Sequence, residues 1–205
     1  MNTTPQRHSL TGGSNAHLWL NCPAAPWLCK IVPVVETDAM RKGTELHAVA
    51  ANVLLNPAAD HGKLPKIVRE YVDAVMRHKA AELDIEREFI CAEFPQAFAT
   101  ADAVWYGQPM FIDLKTGRDP VEAEGNPQLA VLAAFAGQRG SVTGAIFQGG
   151  EMKTAQFDMT IWYPKIIAAL AKVYGDNPTP CRGDHCSKCR ARNFCPAHKH
   201  IEAEW

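Results

Sequence analysis

Apolar and polar positions along the chain fall into blocks of different period. After a turn-like start at Ser9 to Gly13, Ala16, Leu18 and Leu20 give a short helical pattern that stops at Cys22-Pro23. The stretch from Cys22 to Pro33 holds three prolines and predicts an ordered loop. Leu46, Val49, Val53 and Leu54 recur at a 3.6-residue spacing and predict a helix over Asp38 to Leu55. Beyond a loop at Asn56 to Pro65, Ile67, Tyr71, Ala74, Val75 and His78 predict a second helix over Lys66 to Leu83. From Asp84 the period changes. Ile85 to Phe94 and Phe98 to Tyr106 read as strands, and Gly107-Gln108-Pro109 turns tightly into a third, Met110 to Lys115, all antiparallel. A loop at Thr116 to Pro127 leads to a helix at Gln128 to Gln138, strands at Ser141 to Gln148 and Thr154 to Met159, and a last helix at Ile161 to Tyr174. This order predicts an α/β fold around a mixed sheet.

Composition narrows the class. The 205 residues are those of a single domain, and 47% apolar with 21% charged residues is ordinary for a globular chain. Long disorder, collagen repeats and a coiled coil are excluded. The longest apolar run, Leu129 to Ala136, is eight residues, far short of a membrane span. Met1 to Leu10 lacks the hydrophobic stretch of a secretory signal, so a cytoplasmic location is expected. A net charge of −1 advertises no polyanionic partner. Seven cysteines without an export signal argue against disulfides and for metal binding or simple burial. Four of them, Cys181, Cys186, Cys189 and Cys195, fall within fifteen residues.

Candidate chemistry begins in the strand Phe111-Ile112-Asp113-Leu114-Lys115. Residues two apart share a face, so Asp113 and Lys115 project together, away from Ile112 and Leu114. A carboxylate beside an ammonium at a strand end suits a divalent cation and an attacking water, although a solvated ion pair has the same pattern. Antiparallel pairing brings Asp102, set among small and apolar residues, toward Asp113, and two converging carboxylates suit Mg²⁺ or Mn²⁺. His47 stands one helical turn past Gly43, whose lack of a side chain permits close approach; its plain reading is a structural histidine. Gln128, in the first turn of its helix, points back toward the strand ends. Glu88, on the preceding strand, is either a further site carboxylate or an exposed charge.

This series resembles the RecB-like branch of the PD-(D/E)XK nuclease superfamily: Gly43 and His47, then Asp102, then Asp113 with Lys115, then Gln128. It is closest to small phage and prophage exonucleases, through Leu20-Asn21-Cys22-Pro23, Thr100-Ala101-Asp102-Ala103-Val104 and Asn126-Pro127-Gln128-Leu129. It is also similar to the iron–sulfur nucleases of CRISPR adaptation. The resemblance runs from Ser9 to Pro196 and implies a restriction-endonuclease-like core at about 36–175, with cluster-binding ends at about 9–30 and 178–198. It implies that His47, Asp102, Asp113 and the carbonyl of Leu114 bind the catalytic metal, that Lys115 positions or activates the water, and that Gln128 contacts the site or the DNA. Ala101 stands where the superfamily name has proline, and Leu132 where the branch's motif has a tyrosine. DNA is the implied substrate, and a single-strand annealing or recombination protein the implied partner.

Cys186, Cys189 and Cys195 supply three soft ligands, and either Cys181 or Cys22 completes a set of four. Spacing does not separate tetrahedral zinc from an iron–sulfur cluster. The resemblance implies a [4Fe–4S] cluster on Cys22, Cys186, Cys189 and Cys195, clipping the chain ends together. Cys29 and Cys91 read as buried small hydrophobes. Around this tail Arg182, Lys188, Arg190, Arg192 and Lys199 face only Asp184, which with His185, His198 and His200 makes a phosphate-contacting surface one reading and a solvated tail the other. The rival function is a non-catalytic nucleic-acid-binding or assembly protein with a four-cysteine zinc site.

Overall fold

A computed structural model describes residues 9–77, 82–107 and 109–199. Helices α1 (Ala16–Trp19), α2 (Ala25–Lys30), α3 (Asp38–Leu55) and α4 (Lys66–Arg77) precede strands β1 (Leu83–Ile90), β2 (Phe98–Trp105) and β3 (Met110–Lys115). Helix α5 (Pro127–Phe135), strands β4 (Ser141–Gln148) and β5 (Glu151–Asp158), helix α6 (Met159–Val173) and the short α7 (Pro196–Lys199) follow among the described residues. Residues 78–81 of the expected second helix, Gln108 of the expected turn, and His200 lie outside the described residues.

The five strands form one mixed sheet in the order β1-β2-β3-β4-β5. Neighbours are antiparallel except β3 and β4, which are parallel. A parallel pair needs a crossover, and α5 provides it. That helix is buried on every side from Leu129 to Phe135, as its unbroken apolar run requires. Gly144 lets it lie against β4, since a methyl there would stand 2.9 Å from Leu129 Cδ1 and 2.6 Å from Phe157 Cε2. Gly149 and Gly150, with φ of 62° and 89°, make the two-residue turn between β4 and β5.

Two cores flank the sheet. Helices α3 and α4 cover one face through Ala50, Leu54, Val68, Tyr71 and Val75 against Trp105, Ile112, Leu114 and Phe147. Helices α1, α5 and α6 cover the other, with Trp19, Leu132, Ile166 and Leu170 against Val104, Phe111 and Ile146. A third cluster joins α1 and α2 to the tail through Leu18, Cys22, Ala25, Cys29 and Ala191. Trp27 donates its indole N–H to the Val173 carbonyl at 2.8 Å, tying α2 to the end of α6.

Several expected boundaries change: β1 ends at Ile90 and not at Phe94, and α5 at Phe135 and not at Gln138. The predicted loop from Cys22 to Pro33 contains α2, because Pro26 sits in the first turn, where its missing N–H costs nothing. The second long helix ends at Arg77 among the described residues, and Leu83 already belongs to β1. The last strand begins at Glu151, and Met159 opens α6 behind an Asp158 cap whose carboxylate accepts from Thr160 N–H.

Candidate active site

The sheet is irregular at one point, and the polar groups gather there. Strict alternation would keep all odd residues of a strand on one face. In β2, however, Ala99 and Ala101 belong to the core under α5, whereas Ala103 and Trp105 belong to the core under α3 and α4. In β1, Leu83 and Ile85 pack on the α3–α4 side and Phe89 on the other. The pairing register is the same before and after this point, so both strands invert their pleat together at the facing pair Glu86 and Asp102. Glu86 takes a left-handed φ of 51° to do so.

Beside the inversion, β2 and β3 part. Their pairing runs from Trp105↔Met110 to Ala103↔Ile112 and goes no further. Asp102 fills the gap: its Oδ2 accepts the Leu114 backbone N–H at 2.7 Å, in place of a ladder carbonyl. Because N–H and C=O of one strand residue leave by the same edge, the Leu114 carbonyl also faces this gap. The other oxygen, Oδ1, is 3.0 Å from His47 Nδ1. Helix α3 delivers His47, its N-terminus fixed by Thr37 Oγ1, which accepts Met40 N–H at 3.2 Å. Gly43 allows the approach, since a methyl there would stand 3.1 Å from Thr116 Oγ1.

His47, Glu86 and Asp102 each offer a ligand atom, all within 4.8 Å of one another. An imidazole and two carboxylates from α3, β1 and β2 form a donor set suited to a divalent cation. Glu86 is exposed as a residue, but loss of water around its carboxyl, helped by the Asp102 charge and opposed by His47, pushes it up to about 7. Burial opposes the His47 imidazolium, but its bond to Asp102 and the charges of Asp102, Asp113 and Glu86 prevail, so its pKa lies above the usual value.

Asp113 stands next to this set in a second one. It is 4% exposed, and burial pushes its carboxyl up to about 6, with Lys115 pulling the other way and Asp102 adding to the rise. Lys115 Nζ lies 2.8 Å from Asp113 Oδ2, which has no hydrogen-bond partner among the described residues besides this ion pair. The Gln128 side-chain amide donates to Asp113 Oδ1, and its carbonyl accepts from Lys115 Nζ at 2.7 Å. Gln128 is placed by the α5 cap, where Asn126 Oδ1 accepts the Gln128 backbone N–H at 2.9 Å. Leu132, one turn on, is fully buried in the core.

Of the residues singled out in the sequence, His47 and Asp102 meet directly, and Asp113, Lys115 and Gln128 form a contiguous triad beside them. The carboxylate that joins His47 and Asp102 is Glu86; Glu88 lies opposite Thr100, and both glutamates are exposed. Even spacing puts 86 and 88 on one face, so alternation alone could not choose between them.

Cysteines from the two chain ends approach each other in pairs, and among the described residues no three sulfurs lie within 4.8 Å of one another. Cys22, Cys186 and Cys195 are buried, and Cys189 is half-buried. Cys29, expected to be a simple hydrophobe, has its Sγ 3.6 Å from Cys189 Sγ. The Cys181 N–H points to Cys22 Sγ at 3.3 Å. Burial, with the neighbouring Cys29 and Cys186 adding to it, pushes the Cys189 thiol up to about 11. Cys91 lies apart, in the α5–α6 core. Arg190 donates to the Cys29 carbonyl at 3.0 Å, and it is exposed, as are Arg182, Lys188 and Arg192.

The sequence model of a family described as a protein of unknown function (DUF2800) matches residues 8–67. No curated protein matches the chain. Among solved structures, that of SSO0001 is similar with a TM-score of 0.49 and 15% identity, covering 96% of this chain and 90% of that one. The alkaline exonuclease LHK-Exo from Laribacter hongkongensis is similar with a TM-score of 0.48 and 10% identity, covering 79% and 86%. The structure of LHK-Exo in complex with dAMP has a TM-score of 0.48 and 11% identity over the same shares. No described helix is long and apolar enough to cross a membrane.

Proposed function

We propose that the chain is a divalent-metal-dependent nuclease of the RecB-like PD-(D/E)XK kind, with a restriction-endonuclease-like core, acting as a DNA exonuclease in phage or prophage recombination or DNA processing. The observation that carries this reading is the Asp102 carboxylate wedged between the parting strands, where it gathers His47 and Glu86 beside the Asp113–Lys115–Gln128 triad. His47, Glu86, Asp102, the free lone pairs of Asp113 Oδ2 and the Leu114 carbonyl would hold Mg²⁺ or Mn²⁺. Bound there, the ion lowers the pKa of a water and offsets the negative charge that builds on a phosphate under attack.

The chain's own groups do the rest. Lys115 holds its ammonium where Asp113 and Gln128 orient it, ready to stabilise charge on the phosphate or to steady the attacking water. Gln128 locks the rotamers of both partners. The exposed Arg182, Lys188 and Arg192 suit the DNA backbone. A single-strand annealing or recombination protein is the partner this reading expects.

Cys22, Cys186, Cys189 and Cys195 are the ligands we assign to a [4Fe–4S] cluster. Soft thiols collected in a shielded junction fit such a group, and metal binding would deprotonate sulfurs that burial otherwise keeps protonated. Its role is to clip the two ends. The rival, a four-cysteine zinc site in a non-catalytic nucleic-acid-binding or assembly protein, would need the exposed Cys181 thiol, which points to the Thr179 carbonyl, while only the Cys181 backbone N–H reaches Cys22 Sγ.

The test is degradation of end-labelled linear DNA with and without Mg²⁺ or Mn²⁺. The parent chain should cleave only with the ion, and Asp113→Ala and Lys115→Ala should abolish cleavage while keeping the circular-dichroism spectrum. An inert parent chain would sink the nuclease reading. Metal analysis of anaerobically purified protein decides the rest: iron with a brown colour supports the cluster, and zinc without iron rejects it.

A further inference from the structure

The loop that leaves Lys115 takes its shape from one side chain. Strands β3 and β4 run parallel and end side by side at the facing pair Lys115 and Gln148. Gln148 Nε2 donates to the Gly117 carbonyl at 2.9 Å and to the Asp119 carbonyl at 2.8 Å, and its Oε1 accepts the Val121 N–H at 2.8 Å. Further along, the Lys153 ammonium pairs with Glu122 at 2.6 Å. At its start the loop leans on α3, where a methyl on Gly43 would stand 3.1 Å from Thr116 Oγ1.

This clamp decides which backbone groups face solvent. The C=O and N–H of a trans peptide point in opposite directions. With the Gly117 carbonyl turned in toward Gln148, the Arg118 N–H faces away from it. The Asp119 carbonyl turns in as well, and its peptide has no N–H to strand, because Pro120 follows. Arg118 is exposed, and among the described residues its N–H has no acceptor and its guanidinium no ion pair. Three residues of extended chain span at most about 11 Å, so Arg118 stands within about three nucleotides of Lys115, at ~3.4 Å of rise for each. An outward N–H beside a guanidinium is a donor pair suited to phosphate oxygens.

We propose that the loop over 116–121 is a phosphate-binding subsite for the nucleic-acid strand flanking the cleavage point, with the Arg118 N–H and guanidinium as its donors. This rests on the nuclease reading. Gln148 touches no substrate; it is a positioning residue that holds the Arg118 N–H outward.

The experiment is fluorescence-anisotropy titration of end-labelled DNA, a duplex with a single-stranded tail, at several salt concentrations and with Ca²⁺ in place of Mg²⁺ or Mn²⁺. The variants are Arg118→Gln, Gln148→Leu and the two together. Arg118→Gln should bind about tenfold more weakly, and the slope of log affinity against log salt should become shallower by about 0.7–0.9, the loss of one phosphate contact. Gln148→Leu, which keeps the charge but frees the backbone, should also bind more weakly. The double variant should lose less than the two single losses multiplied together. Parent-like affinity or an unchanged salt slope in Arg118→Gln overturns the proposal, and leaves the nuclease reading standing if the parent chain cleaves. Gln148→Leu binding like the parent overturns the positioning role of Gln148. A parent chain that binds no DNA overturns both readings at once.

Discussion

Asp113 carries its carboxyl where a charge is costly, and that cost has a pH signature. With Asp113 raised to about 6 and Glu86 to about 7, each carboxyl binds its proton more readily in the folded chain than in the unfolded one. The proton excess of the folded state makes stability fall as pH rises through the interval from about 4 to about 7. His47 acts in the same direction, because its raised pKa gives stability at low pH that is lost as the pH climbs past it. Chelator-treated protein should therefore resist urea better at pH 5 than at pH 8, as far as these groups govern it. Added Mn²⁺, which needs the deprotonated ligands, should stabilise more at pH 8. Lys115→Met should cost about 2 kcal/mol at pH 8, below the ~3–5 of a fully buried pair because Lys115 is partly exposed, and less at pH 5, where Asp113 takes up a proton instead. Urea midpoints at the two pH values check both expectations. At this scale the sequence was partly legible. The alternation of Asp113 and Lys115 against Ile112 and Leu114 is a period-2 property and could be read directly. Glu86 could not, because its place depends on a backbone φ that no side-chain pattern encodes.

Elements position these residues through a few close approaches. Gly144→Ala would drive a methyl into Leu129 and Phe157, wedging α5 away from β4. Overpacking of this kind should cost about 1–3 kcal/mol, readable as a lower urea midpoint. Because α5 carries Gln128, the same variant should also weaken any cleavage activity. Asn126→Ala, which removes the α5 cap, should cost about 1 kcal/mol by the same measurement. The long periodic elements, α3 and the strands from Phe98 to Lys115, announce themselves because one buried face forces a regular pattern. Helix α2 does not: three prolines in a dozen residues read as a loop, and only its packing against Cys189 and Ala191 reveals a helix. The double pleat inversion is equally silent. Odd residues of β2 are apolar throughout, so the strand reads as one continuous face when it has two.

At the scale of the molecule, two distant chain ends meet beside α6. Thr11 Oγ1 and Tyr174 OH are 2.8 Å apart, and Trp27 reaches Val173 nearby. Trp27→Phe should keep the ring packing and lose the bond to Val173, costing about 1 kcal/mol in urea unfolding, more if the end junction carries no bound metal. The alternation of helices and strands predicted an α/β chain with a mixed sheet, and five strands between two helical layers are what the structure has. The meeting of the ends was visible only as a cysteine count, since contacts between residues so far apart leave no periodicity. One feature of the sheet reaches beyond the single molecule. Strand β1 is an edge, with one side unpaired by any described strand. A straight edge strand is a template on which another chain can add its own. The left-handed turn at Glu86 breaks that edge midway, and Asp84, Arg87 and Glu88 load it with charge. The bend that brings a carboxylate to Asp102 therefore also discourages edge-to-edge aggregation, so straightening β1 to abolish the site would be expected to cost solubility as well.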